Sequence, residues 1–145
     1  MNLNLVPSLN ISATGLEAER TRMSVAANNL ANVHSTRGQD GVLYQRRQVV
    51  FAAVMDDAVS RERPADALGG VKIDDVVADP RPPAETYAPY HPHADSRGMV
   101  QTPNISPIEE MLDMITAGRA YDSNLSAMKQ SREMAMRTID LLKPS

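Results

Sequence analysis

Apolar residues recur at heptad spacing at both ends of the chain, and the pattern breaks down between them. At the front, Leu9, Leu16, Met23 and Leu30 stand seven apart, with Ala26 and Val33 three positions beyond Met23 and Leu30, so they line one side of a helix. At the back, Met111, Leu125 and Ile139 alternate with Met114, Tyr121, Met128, Ala135 and Leu142 in the same a/d spacing. Each stripe requires a partner. The front pattern predicts a helix from about Ser8 to Val33, roughly 35 to 40 Å long. Glu17, Glu19, Arg20 and Arg22 fall off its stripe and read as a solvated face. The rear helix has a complete start signal, with Ser106 as N-cap, Pro107 at the first helical position and Glu109 placed to close a capping box. It runs to Leu142, on the order of 50 Å, before Pro144 stops it. Gly15 weakens the front helix by about 1 kcal/mol relative to Ala. Gly118, at an a position, either marks close approach of another backbone or carries the same cost.

Between the helices the texture changes to short apolar runs broken by Gly and Pro, a strand-and-turn pattern holding seven of the ten prolines. Asp40-Gly41 is a good turn pair, followed by Val42 to Tyr44 and then Gln48 to Met55, which together predict a small β-hairpin. Asp56 to Gly70 reads as an exposed loop, and Val71 to Val77 as another strand. Pro80, Pro82, Pro83, Pro89 and Pro92 impose an extended path. The fold class is α+β: residues 1–34 and 105–145 pair as a coiled-coil-like helical hairpin, and residues 35–104 form a β-rich, extended middle with its exposed loop at about 56–70.

Composition sharpens this picture. The chain has 145 residues but no Trp, one Phe and four Tyr, so the core of an isolated subunit is predicted to be thin. Nine Met suit either ordinary helix packing or contacts that adapt to several neighbours. A formal net charge of −3, with acids and bases interspersed and Arg46-Arg47 as the one clear basic pair, argues against a nucleic-acid partner. The absence of cysteine removes disulfides from consideration. No run approaches the roughly 18 to 20 apolar residues that span a bilayer. Met1 to Leu16 carries no charged side chain and lacks the basic start of a cleavable secretory signal, so any export is expected to use another route.

Chemistry is sparse. His91-Pro92-His93-Ala94-Asp95 puts two imidazoles and a carboxylate at alternate positions of an extended chain, as in part of a metallo-hydrolase HxHxDH motif, but Ser96 stands where the last His belongs. The plainer reading is a Pro-rich connector whose imidazoles bond to backbone or solvent. No serine sits in a nucleophile-elbow pattern, and Gly69-Gly70 is too short for a phosphate cradle. No catalytic residue, metal ligand or cofactor is assigned, and the chain is not read as an enzyme.

The run Ala26-Ala27-Asn28-Asn29-Leu30-Ala31-Asn32-Val33 resembles the N-terminal signature of the axial proteins of the bacterial flagellum. Residues 41–51, the run Pro89 to Asp95 followed by Gly98-Met99-Val100, Pro103-Asn104-Ile105, Glu110-Met111, Arg119-Ala120-Tyr121 and Asn124 are similar to the proximal-rod members of that family. The resemblance runs in order through nearly the whole chain. Met99 stands where an aromatic is more usual, and Asp122-Ser123 replaces the usual Gln-Ala.

The resemblance implies a structural subunit of the proximal rod, the drive shaft that crosses the periplasm and carries torque from motor to hook. It implies homo- and hetero-oligomeric assembly with other proximal and distal rod proteins and with the rod-base adaptor near the membrane ring. It also implies export by the flagellar type III apparatus without a cleavable signal. On this reading Leu9, Leu16, Met23, Leu30, Val33, Met111, Met114, Tyr121, Leu125, Met128, Ile139 and Leu142 are packing positions of the assembled helices. Ala27, Asn28, Asn29, Leu30, Ala31 and Asn32 form the rod signature. The alternatives are a different proximal-rod paralogue and, from another class, a cytosolic helical-hairpin adaptor. The two helical ends are expected to gain order as neighbours supply the missing burial.

Overall fold

The computed structural model describes residues 7–38, 41–55 and 68–141. Its architecture is α+β, with two helices and two small antiparallel sheets. Helix α1 spans Pro7–Ala31 and helix α2 spans Pro107–Leu141. Between them β1 (Arg47–Met55) pairs with β2 (Leu68–Ala78), and β3 (Ala84–Tyr87) pairs with β4 (Met99–Thr102).

Side chains satisfy the backbone at the end of α1 and at the start of α2. The Asn32 N–H donates to the carbonyls of Asn28 and Asn29, its side-chain amide donates to Asn28 O at 2.8 Å, and Ser35 donates from N and Oγ to Asn32 O. Ser106 caps α2, accepting from the Glu109 N–H at 3.4 Å, while the Glu110 N–H bonds to Ser106 O.

The two helices run antiparallel in contact. Asn29 meets Glu110, Arg22 forms an ion pair with Asp113, and Gly15 lies against Asn124. Arg22 therefore belongs to the helix interface, not to the solvated face expected of it; its hydrogen bond to the Asp113 carboxylate raises its pKa above the ordinary guanidinium value. Close approach falls at Gly15, where a Cβ would come within 2.8 Å of Asn124 Nδ2. At Gly118 a Cβ would meet only Met23 Sδ, at 3.9 Å.

The hairpin differs from the expected one. Residues 42–46 form no strand, because Tyr44 and Arg46 are drawn toward the helices, and β1 pairs with β2 instead, from Arg47↔Ala78 to Met55↔Leu68. The predicted strand at Val71 to Val77 lies inside β2, which also takes in residues 68–70 of the expected loop. Residues 56–67, and Asp40 of the predicted turn pair, lie outside the described residues. A two-stranded ribbon is marginal alone. This one rests on α1, where the Val71 N–H donates to Thr14 Oγ1 at 3.2 Å. Gly70 makes that approach possible: its φ is +118°, and a Cβ there would collide with Thr14 Oγ1. Within the Pro-rich run, β3 forms a second ladder with β4, from Ala84↔Thr102 to Tyr87↔Met99.

The apolar core is small. Among the described residues the buried apolar side chains are Ala18, Ala26, Val100, Pro103, Ile105 and Ala117, and they are joined by buried Asn29, Asp79 and Glu110. Ala at the helix contact lets the two backbones approach closely, and polar bonds hold what a thin core cannot.

Candidate functional site

The polar centre of the molecule lies where the C-terminal end of α1, the segment entering β1, the end of β2 and the first turn of α2 converge. Asn29, 1% exposed, uses its full bonding capacity there. Its Nδ2 donates to Glu110 Oε2 and to Arg47 O, both at 2.9 Å, and its Oδ1 accepts from the Arg47 N–H and the Tyr44 hydroxyl, both at 2.9 Å. Bonding both the N–H and the C=O of one residue, the amide acts as a strand partner for Arg47. It thereby fixes how the chain leaves the helix and enters β1.

Glu110, also 1% exposed, would be costly to bury as an unpaired charge. Besides Asn29 it accepts from Arg46 Nε at 2.6 Å. Arg46 reaches on to Asp79 Oδ2 at 3.3 Å, and the Asp79 N–H returns a bond to Arg46 O at 2.8 Å, extending the β1–β2 ladder by one pair. Asp79 also accepts from Gln48 Nε2 and from the Arg81 backbone N–H and guanidinium. These bonds, those from Arg81 foremost, hold its carboxyl well below the ordinary 3.8. Burial raises the Tyr44 hydroxyl above its ordinary 10.0; nearby Arg47 opposes this and Glu110 adds to it.

This cluster clamps four segments together. Its members are committed to one another, with no nucleophile and base poised over open space. Of the clamp residues only Asn29 stands among the expected site positions. Glu110, Arg46, Asp79 and Tyr44 were missed as a site, although the Arg46-Arg47 pair and Glu110 each stood out in the sequence.

The rest of the rod signature divides by face. Asn32 closes α1, while Ala27, Asn28 and Ala31 are exposed and Leu30 is half-buried. Of the expected packing positions, Leu9, Leu16, Met23, Leu30, Val33, Met114, Tyr121, Leu125 and Met128 are half-buried in the single chain. Met111 and Ile139 are 48% and 53% exposed, and Leu142 lies outside the described residues. The seam against α1 follows Glu110, Ala117 and Asn124, the same seven-residue repeat one position before Met111 and Leu125, so Met111 turns outward.

The His-Pro-His segment forms the connection between β3 and β4. His91 Nδ1 accepts from the His93 N–H at 3.1 Å, and His93 Nδ1 lies 2.8 Å from Thr36 Oγ1. Asp95 turns to the backbone, accepting from the N–H groups of Arg97 and Met99, which lower its pKa. The three side chains thus do not converge on one point. Among the described residues, no group of three or more His, Asp or Glu is arranged to hold a metal ion.

Two family models match the chain: residues 9–38 match "Flagella basal body rod protein", and residues 96–141 match "Flagellar basal body rod FlgEFG protein C-terminal". The class is thus the flagellar rod proteins. Among curated relatives, the flagellar basal-body rod protein FlgC of Borreliella burgdorferi is 33% identical, with 97% of this chain and 99% of that protein covered. The FlgC protein of Agrobacterium fabrum is 38% identical over 93% of each chain. That of Escherichia coli O6:H1 is 35% identical over 94% of this chain and 97% of its own. The chain belongs to the FlgC family of flagellar basal-body rod proteins. It is a structural rod subunit, not an enzyme.

Proposed function

We propose that the chain is a subunit of the proximal rod, polymerising with copies of itself and with other rod proteins into the shaft that carries torque from motor to hook. Its neighbours are the other proximal-rod proteins, the distal-rod protein and the rod-base adaptor. It reaches its place across the periplasm through the flagellar type III apparatus, without a cleavable signal. Residues 1–34 and 105–145 form the axial helical core, coiled about one another, and residues 35–104 face outward.

One observation carries this reading. The two segments that match rod-protein models are the two that the clamp joins, since Asn29 lies in the first and Glu110 in the second. A rod subunit needs the mutual position of its terminal helices set before neighbours add to them. A buried, fully bonded polar junction sets it, because sliding either helix by one residue would break several bonds at once. The large apolar side chains left exposed along α2, including Ile108, Leu112 and Ile115, supply surface for burial on assembly.

Peptide mass spectrometry on purified hook-basal bodies tests the proposal, with washed membranes as control. Strong enrichment beside other rod subunits is the expected result. Recovery from the cytosol and absence from the particles would overturn it in favour of an adaptor.

A further inference from the structure

The two edges of the β1–β2 ribbon are unlike. The Asp79 N–H bonds to Arg46 O, so Arg47↔Ala78 is a widely spaced pair, and the odd-numbered residues of β1 turn their N–H and C=O groups away from β2. At Arg47 the Asn29 amide takes both groups. Beyond it the helix leaves this edge, because α1 passes from Asn29 at the edge of β1 to Thr14 at the edge of β2. Among the described residues, none bonds to the outward groups of Val49 and Phe51. The edge of β2 is closed. Its Val71 N–H is held by Thr14, and its Val76 N–H donates to Asp75 Oδ1 at 2.7 Å. Between them Asp74 bulges out of the ladder, close to the charge of Lys72.

Two open positions on a strand edge accept a further strand. They border a cleft of about 470 Å³ in which Arg22, Arg46 and Arg47 stand against Glu110 and Asp113, an excess of one positive charge. A strand that fits is present in the chain itself. All four residues of β3 are exposed, and the bond from the Ala88 N–H to Gly98 O sets Glu85 and Tyr87 with their N–H and C=O groups turned away from β4. We infer that β3 of a second copy of this chain adds antiparallel to the open edge of β1, with Val49 opposite Tyr87 and Phe51 opposite Glu85. The inference rests on the rod-subunit reading and gives it a contact outside the helices.

Three features favour this occupant. The lengths agree, since β3 has two outward residues for two open positions. The same register sets Pro89 opposite Arg47, whose backbone Asn29 already holds, and Pro83 opposite Ala53, so the prolines fall where the new ladder ends. Glu85 is the one charge β3 carries, and it enters a cleft with a surplus guanidinium; in its own chain it meets only exposed Arg97, at 3.8 Å. Because different strands meet, the contact is heterologous and propagates from copy to copy.

The absence of cysteine from the chain makes a clean test possible, since opposed residues of such a pair have Cα atoms about 5.5 Å apart, within disulfide reach. In rods from cells producing Val49→Cys and Tyr87→Cys chains together, mild oxidation should give dimers containing one of each. Rods with either variant alone should give none. Dimers from Val49→Cys alone would mean a symmetric β1–β1 contact and would overturn the inference, as would absence of dimers from rods that contain both variants. Wild-type rods supply a second readout. The Val49 and Phe51 amides should exchange rapidly in the isolated subunit and slowly in rods, and equally rapid exchange in both would overturn the inference. Glu85→Pro removes an N–H that faces away from β4, so the isolated subunit should melt as before while protection at Phe51 is lost in rods that contain the variant. Protection that persists there would mean that some other strand fills the edge. These negative results leave the rod-subunit reading intact, whereas absence of the wild-type chain from rods would remove that reading itself.

Discussion

Asn29 and Glu110 are 81 positions apart in the chain and 2.9 Å apart across the junction of the two helices. The bond carries more than its own strength because both groups are buried and each has further partners that depend on its position. Asn29 holds Arg47 by N–H and C=O, and Glu110 holds Arg46. Replacing Asn29 with Asp would keep the two acceptor contacts but remove both donors and set one carboxylate against another. A loss of about 2 to 4 kcal/mol is expected from urea unfolding. Adding Glu110→Gln should restore part of it, a coupling that a double-mutant cycle reads directly. Additive losses would show that the two side chains act independently.

Arg46→Ala should cost more than an ordinary surface truncation. It strips the charged partner from Glu110, which is 1% exposed, and leaves a carboxylate buried beside an amide alone. Such a cut typically costs about 3 to 5 kcal/mol. The interface pair Arg22–Asp113 provides the contrast. Its side chains are 30% and 33% exposed, so Asp113→Asn should cost only about 0.2 to 1 kcal/mol. Thermal melts of the two variants side by side should rank them in that order.

Acid should loosen the clamp through Asp79. Its carboxyl has a lower pKa in the folded chain than the ordinary 3.8, so the unfolded chain binds the proton more readily. The stabilisation is fully present above the unfolded value and declines as pH falls from about 4 toward the folded value. Asp95, lowered by the N–H groups of Met99 and Arg97, contributes with the same sign. Unfolding midpoints measured between pH 2 and 6 should fall toward acid, and Asp79→Asn should flatten the profile while lowering its plateau at neutral pH.

How much of this was legible beforehand depended on how far apart the determining residues lie. The start of α2 was readable because Ser106, Pro107 and Glu109 are adjacent, and the cap bond forms within one turn. The clamp was not, because the partners of Asn29 lie 15 to 81 positions away and no local pattern links an Asn near one helix end to a Glu at the start of another. The rod signature was recognised as a motif, but the physical role of Asn29 came only with its partners. The heptad spacing marks both helices, but within the single chain the seam lies one position before the Met111–Leu125 register, where Glu110 is turned inward by its bonds to Asn29 and Arg46. The hairpin was mispaired for a related reason. Residues 42–46 have strand-like composition, but Tyr44 and Arg46 are recruited by Asn29 and Glu110.

In the sequence Gly69-Gly70 is only a pair too short for a phosphate cradle, but the geometry gives Gly70 a different importance. At φ +118° any side chain is strained, and the Cβ would also strike Thr14 Oγ1, which accepts the Val71 N–H. Gly70→Ala should destabilise by about 1 to 3 kcal/mol from backbone strain alone. Loss of the docking bond should appear as faster amide exchange at Val71. Unchanged exchange there would mean that the hairpin does not depend on this approach to α1.

Gly118 separates the stability of the free subunit from the demands of assembly. Within the chain its added Cβ would find only Met23 Sδ at 3.9 Å, an ordinary contact, while a helix-interior Gly costs about 1 kcal/mol relative to Ala. Gly118→Ala should therefore raise the stability of the isolated subunit by about 0.5 to 1 kcal/mol, measured by urea unfolding. The same variant examined in purified rods distinguishes the two meanings of this glycine. Normal incorporation means that the residue is only a helix weakness. Failure of a more stable subunit to incorporate means that a neighbour's backbone packs against the space left by the missing side chain, because no loss of folding could then explain the defect.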